Sequence, residues 1–252
     1  MNVTTLIQPA SDWLDDIPLK RSGKVAAIAC LGLMLYGFTV GFWRSPLMGV
    51  YVAIKLPLLI VLTLLCNALL NGLLGTLLGS RLGFRQSWFA LLSSFALAAL
   101  ILGSLAPVTF LLACNAPPPD SPAAATSHSA YLLTHTLLIA FAGISANVHL
   151  HRMLGHHAPT PAAAKATLFS WLAGNGFLGA QFSWILRPFF GSPSLEVAFL
   201  RPDPLRGTFY ESVWRSFAHV TGGYPAQTLC IVALLAVVFA YPLLRNQRTK
   251  RP

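Results

Sequence analysis

The sequence predicts an all-α protein: a polytopic transmembrane helical bundle of about six spans, N-in/C-in, with an amphipathic interfacial helix between spans five and six. Of the 252 residues, 55% are hydrophobic and only 10% are charged, against roughly 25% charged in soluble domains. The mean hydropathy is +0.65. Apolar runs of about 20 residues, long enough to cross a hydrocarbon core, recur along the chain. This composition excludes a disordered chain, collagen, a disulfide scaffold and an ordinary soluble enzyme.

The apolar runs define the spans in chain order, at about 24–43, 53–79, 88–114, 130–148, 167–186 and 226–244. All seven acidic residues lie outside these runs, as expected because a carboxylate at mid-bilayer costs at least about 2.5 kcal/mol. The spans form one transmembrane domain, 24–244. It is flanked by a cytoplasmic N-terminal segment, 1–23, and a basic cytoplasmic tail, 245–252.

Basic residues set the predicted orientation. Lys20 and Arg21 precede span one and Lys24 begins it, the tail is basic, and the loop between spans three and four has no Lys or Arg, so both termini face the cytoplasm. The net charge of +10 is therefore mostly a topology signal. Nucleic acid is not an expected partner, since there is no soluble domain with a basic, aromatic-rich face. The expected surroundings are the lipid bilayer of the bacterial inner (cytoplasmic) membrane.

The loop between spans five and six is too long for a simple connection, and it forms an external cap, 187–225. Its second half has the periodicity of an amphipathic helix. Glu211 precedes Arg215 by four residues, the favourable order for an ion pair on a helix surface. This helix is either an interfacial element or a lid or docking surface for a partner. We expect Arg187 and Glu211 to anchor the cap, and Trp214 and Arg215 to contribute to partner contacts.

Polar residues inside the spans mark a second candidate site. A polar path through spans two, four and five would use five side chains: Asn67, Asn71, His135, Asn175 and Gln181. Hydrogen bonds between helices, at about 0.6 kcal/mol each, are the alternative explanation. Lys55, near the end of span two, is expected to extend its ammonium towards the interface.

Two further motifs are similar to known binding motifs, but each has a simpler structural explanation. The histidines His149, His151, His156 and His157 resemble a metal-ligand cluster, but no carboxylate is near them in sequence to complete a site. We therefore favour a basic interfacial cluster, and predict no cofactor. Gly174-Asn175-Gly176-Phe177-Leu178-Gly179 matches GxGxxG, but it lies inside an apolar helix, where such glycines let helices approach closely.

Two stretches resemble a family of uncharacterised bacterial polytopic inner-membrane proteins. The first is Tyr51-Val-Ala-Ile-Lys-Leu-Pro-Leu-Leu. The second is Gly179-Ala-Gln-Phe-Ser-Trp-Ile-Leu-Arg-Pro-Phe-Phe-Gly-Ser-Pro193, followed by Phe209-Tyr-Glu-Ser-Val213. The resemblance implies a helical membrane fold and no particular activity.

Three functions follow as hypotheses. The first is a non-enzymatic subunit or scaffold of a membrane complex, with other membrane proteins or further copies of the chain as partners. The second is a channel or carrier for a small solute or ion. The third is a metal-dependent membrane enzyme that uses a transition metal at the His149–His157 cluster.

Overall fold

The computed structural model describes residues 3–8, 13–15, 17–79, 82–193 and 195–220, and these form helices joined by turns and short irregular segments. The helices, in chain order, are α1 (Val3–Ile7), α2 (Leu19–Phe42), α3 (Pro46–Leu77), α4 (Phe84–Asn115), α5 (Ala124–His157), α6 (Pro161–Leu186) and α7 (Phe209–Val220). No strand occurs in the described ranges, so the all-α prediction is confirmed for them.

Four helices are long and apolar enough to cross a membrane: α2, α3 over Pro46–Asn67, α4 and α5. They overlap predicted spans one to four, so the chain has the helices of a membrane protein, while the six-span count and the N-in/C-in orientation stay predictions. The predicted fifth span lies within α6, which is one continuous helix. Its apolar run contains Asn175 and Gln181, and α6 is not among these four helices. The predicted sixth span, 226–244, and the tail, 245–252, lie outside the described residues.

The helices extend beyond the predicted spans at most ends. The largest difference is in α5, which begins at Ala124, inside the predicted connector between spans three and four, and ends at His157, inside the next. The reason is local: alanine and the straight-chain residues at these ends are good helix formers, and a helix need not stop where the hydrocarbon layer does. Pro57 and Pro107 lie inside α3 and α4 without ending them, as transmembrane helices tolerate.

Small residues let α2 pack closely against its neighbours. A Cβ atom added at Gly32 would lie 2.3 Å from the carbonyl oxygen of Ala99 on α4, and one added at Gly37 would lie 2.7 Å from the carbonyl oxygen of Val52 on α3. Helix α6 packs on α3, and α5 packs on α4 and, less extensively, on α6. Helices α2 to α6 therefore enclose a common interior.

The N-terminal segment closes one end of this bundle, which we call the base. Trp13, Leu14 and Ile17 are buried there. The indole Nε1 of Trp13 donates to Ser93 Oγ at 3.2 Å, and Arg85 and Gln86 at the start of α4 donate to the carbonyl oxygens of Ile17 and Leu14. These contacts join the segment before α2 to the first turns of α4.

The chain divides into two compact units, Met1–Pro204 and Leu205–Pro252. Helices α1 to α6 belong to the first. The second contributes α7, an amphipathic helix in the position that the sequence predicts. Thr208 and Glu211 form a reciprocal capping box at its start, with the Glu211 backbone N–H donating to Thr208 Oγ1 at 3.1 Å and the Thr208 N–H to Glu211 Oε2 at 3.3 Å.

Candidate functional site in the helical bundle

The interior of the bundle contains a cavity of about 450 Å³ to which each of the helices α2 to α6 contributes. Most of its lining is aliphatic or aromatic. Among the described lining residues none is Asp, Glu, Lys, Arg or His, and the polar side chains come from Tyr36, Thr63, Ser94, Asn147 and Asn175. A site of this size and polarity suits an uncharged molecule with a largely apolar body.

Glycines make room in the cavity on the α5 and α6 sides. Gly143 on α5 and Gly176 on α6 both line it, and a Cβ atom added at either would meet no atom within 4 Å. Leu172 and Gly176 on α6 are exposed, so the lining reaches the surface of the unit there. The glycines predicted to bring α6 close to its neighbours thus have two roles: Gly176 borders open space, whereas Gly174 lies near Asn67 on α3.

Most polar groups of the lining are already hydrogen-bonded within the bundle. Ser94 Oγ donates to the carbonyl oxygen of Ala146, Thr63 Oγ1 to that of Leu59 and Asn147 Nδ2 to that of Gly143, each at 2.8 Å. These bonds remove donors from the cavity and keep it apolar.

Three of the five residues of the predicted polar path lie together, and their role as a path stays a prediction. Asn67 Nδ2 donates to Asn175 Oδ1 at 2.9 Å across the α3–α6 interface, and Asn71 lies one turn further along α3, where its carbonyl oxygen accepts from Trp171 Nε1 at 2.9 Å. We call Asn67, Asn71 and Asn175 the amide cluster. Asn67 and Asn71 are 0% and 1% exposed. Gln181, further along α6, is half-buried.

Several polar atoms beside this interface have no hydrogen-bond partner. They are Asn67 Oδ1, both side-chain polar atoms of Asn71, and Oγ1 of Thr167 on α6, whose side chain is also 0% exposed. Buried polar atoms in native proteins almost always have a partner. Four such atoms therefore lie on the facing helices α3 and α6.

His135 belongs to a different group of residues, an aromatic cluster between α2 and α5. Its Nδ1 lies 2.7 Å from the hydroxyl oxygen of Tyr36. Its ring packs edge-on against Tyr131 and Phe190, with centroids 4.4 and 5.7 Å away. Tyr131 in turn donates to the carbonyl oxygen of Thr39 at 2.5 Å. The sequence placed His135 on the polar path, but in the structure it supports packing around Tyr36.

The chain after α6 folds back over the bundle end opposite the base. We call residues 187–193 and 195–204 the covering segment. Arg44, between α2 and α3, donates from Nε to the carbonyl oxygen of Ser192 at 3.0 Å and from a terminal nitrogen to that of Leu195 at 2.9 Å. Lys55 is 0% exposed and donates to the carbonyl oxygen of Pro188 at 2.7 Å. The covering segment thus encloses the Lys55 ammonium at this end of the bundle, and its extension towards the membrane interface stays a prediction.

The predicted cap residues have local partners. Arg187 donates to the carbonyl oxygen of Trp184 at 2.5 Å, and its guanidinium carbon lies 3.4 Å from the centroid of the Trp184 ring. Burial and the neighbouring charge of Arg201 lower the pKa of Arg187. Glu211 forms the predicted ion pair with Arg215, at 3.9 Å, and Trp214 is exposed on α7. Anchoring of the cap by Arg187 and Glu211 together stays a prediction.

The histidines near the end of α5 face different surroundings. His149 is buried, His151 and His157 are half-buried and His156 is exposed. His157 Nε2 lies 3.2 Å from Asp15 Oδ1 in the N-terminal segment. Within the described ranges, no three His, Cys, Asp or Glu side chains are grouped as ligands of one metal ion.

Sequence reasoning missed the roles of Tyr36, Arg44 and Thr167. Tyr36 and Thr167 give no periodic signal inside apolar helices, and the charge of Arg44 in a short loop does not by itself indicate a partner. The nearest signal for Arg44 was the set of glycine and proline residues at 188–193, which favours an irregular chain that needs backbone hydrogen-bond partners. No protein-family model matches the chain, and no curated protein or solved structure is similar enough to it to count as a match.

Proposed function

We propose that this protein is a non-enzymatic, multi-pass carrier or binding protein of the bacterial inner membrane, which takes an uncharged, largely apolar molecule into the bundle cavity. The observation that supports this most directly is the cavity of about 450 Å³ with no charged residue in its described lining. Ligand sites in proteins are commonly about 300–1,000 Å³ and mostly apolar.

This proposal restricts the expected solute to uncharged molecules. An ion in such a cavity would lose its hydration without gaining a counter-charge, which is strongly unfavourable. A molecule dissolved in the bilayer meets no such penalty. The exposed positions at Leu172 and Gly176 are consistent with entry between α5 and α6.

Photolabelling of the full chain in lipid nanodiscs tests the proposal. The probe is hexadecanol with a diazirine at mid-chain, and labelled peptides are mapped by mass spectrometry. We expect labels on α5 and α6 residues that line the cavity, and competition by unlabelled hexadecanol.

Two leucine substitutions on α5 separate cavity binding from general contact with lipid. Gly143→Leu fills the cavity, and we expect it to reduce labelling of the lining several-fold. Gly155→Leu is the matched control, because Gly155 also has no atom within 4 Å of an added Cβ but does not line the cavity. Equal labelling of both variants and the wild type would contradict the proposal.

A second candidate function is the subunit or scaffold of a membrane complex. It is favoured by α7, where Val213 and Trp214 present exposed apolar surface, since aromatic residues are enriched at protein interfaces. Purification in mild detergent tests it: we expect a stable complex, in which Trp214→Ala weakens association and Phe169→Ala, an exposed aromatic residue on α6, does not. A monomer with no co-purifying protein would contradict this function.

A further inference from the structure

The unpartnered polar atoms beside the cavity indicate what kind of group binds there. Asn67 Oδ1 and Asn71 Oδ1 are acceptors, Asn71 Nδ2 is a donor, and Thr167 Oγ1 can act as either. Each belongs to a side chain at least nine-tenths buried. Burying such atoms without partners is unfavourable. A bound molecule that forms hydrogen bonds with these four atoms, which lie on two facing helices, would remove this cost.

The chemistry of these atoms favours an uncharged group. None of these side chains carries a formal charge, so an anion or cation among them would be desolvated without a counter-ion. A hydroxyl group fits best, because it donates one hydrogen bond and accepts two. It can donate to an amide oxygen and accept from Asn71 Nδ2.

The amide cluster borders the cavity through Asn175, while Asn67 and Asn71 lie behind that lining and are 0% and 1% exposed. Asn175 lines the cavity and accepts the hydrogen bond from Asn67. Gly174 keeps the space beside the cluster open, since a Cβ atom there would lie 3.2 Å from Asn67 Oδ1 and 4.0 Å from Asn71 Oδ1. A molecule in the cavity therefore meets Asn175 on the α3–α6 side, and its hydroxyl group must pass beside Gly174 to meet Asn67 and Asn71.

We infer that the molecule bound in the cavity is a long-chain alcohol, with its hydroxyl group at Asn67 and Asn71 and its chain among the aliphatic residues of the lining. This inference rests on the proposed function, and it adds the substrate class. Thr167, on the same face of α6 as Trp171, extends the hydrogen-bonding surface towards the base.

Two probes that differ only at one end test this inference. Diazirine-bearing hexadecanol is compared with the matching hexadecane in photolabelling of the full chain in nanodiscs. We expect the alcohol to label the cavity lining about two- to tenfold more efficiently, the range that one net hydrogen bond provides.

The variants Asn71→Leu and Thr167→Val remove hydrogen-bonding groups at nearly constant volume. We expect Asn71→Leu to abolish the preference for the alcohol, and Thr167→Val to reduce it, while both still label with hexadecane. The hexadecane signal also reports that the cavity has formed. Thr136→Val is the matched control, because Thr136 is exposed on α5 and its hydroxyl donates to the carbonyl oxygen of Leu132.

The possible results separate the two proposals. Equal labelling of the wild-type lining by both probes, or an alcohol preference that survives in both variants, would overturn the hydroxyl site and leave the carrier function standing. Failure of both probes to label the lining would overturn both proposals.

Discussion

Lys55 Nζ donates a hydrogen bond of 2.7 Å to the carbonyl oxygen of Pro188, and the two residues are 133 positions apart in the sequence. The ammonium also lies 5.0 Å from the ring centroid of Phe199 and 5.8 Å from that of Phe189. A buried ammonium is favourable only where it has such partners. Lys55 and the covering segment therefore depend on each other, and this dependence leads to the first prediction.

Lys55→Met should loosen the covering segment without unfolding the helices. Methionine fills a similar volume but has no donor, so the Pro188 carbonyl loses a charge-assisted hydrogen bond worth about 1.5–3 kcal/mol. We expect amide hydrogen exchange in the covering segment to become about 10- to 150-fold faster. Lys20→Met, at an exposed lysine at the start of α2, is the control. Unchanged exchange in Lys55→Met would show that the lysine does not hold the segment.

Gly191→Ala should destabilise the protein more than Gly79→Ala. Both glycines have positive φ, +70° and +74°, a conformation that costs a residue with a Cβ atom about 1–2 kcal/mol. At Gly191 the new Cβ would also lie 2.8 Å from Cγ of Arg44, whereas at Gly79 it would meet nothing within 4 Å. The midpoint of thermal unfolding in detergent measures the difference. Equal midpoints would mean that Arg44 moves aside without cost.

Gly32→Ala should separate α2 from α4. The added methyl group would lie 2.3 Å from the carbonyl oxygen of Ala99, and backbone atoms cannot rotate away, so we expect a loss of about 1–3 kcal/mol, as for other overpacked cores. The control is Gly23→Ala in the same helix, where nothing lies within 4 Å and the higher helix propensity of alanine acts alone. The free energy of unfolding of both variants, measured in the same detergent, checks the prediction. It would be wrong if the two variants were equally stable.

Tyr36→Phe should weaken the contact between α2 and α5. It removes the partner of His135 Nδ1, and His135 Nε2 has no partner already, so both buried ring nitrogens are left unsatisfied at a cost of about 1–3 kcal/mol. Thermal unfolding measures this loss. In the control, Tyr51→Phe, the ring still packs edge-on against Phe199, and we expect little change. If Tyr51→Phe lowered the unfolding midpoint as much as Tyr36→Phe, the effect would come from the loss of a tyrosine hydroxyl in general and not from the contact with His135.

Sequence reasoning located the helices better than their contacts. The apolar runs around residues 24–43, 53–79, 88–114 and 130–148 correspond to four helices that can span a membrane, because hydrophobicity and length are properties of the local sequence. It also found Asn67 and Asn71 on one face, since a spacing of four residues places side chains on the same side of a helix. It assigned His135 to the same path and Lys55 to the interface, because helical periodicity does not specify which neighbour a face meets.

The sequence by itself therefore determined that the chain is a helical membrane protein, where four of its helices lie, and that polar side chains are buried among them. Only the tertiary structure decided which of these side chains meet. Asn67 and Asn175 are 108 positions apart, and their contact depends on the rotation and depth of α3 against α6. The cavity arises in the same way, because the distance between packed helices depends on all the side chains at their interfaces, and no single segment contains that information.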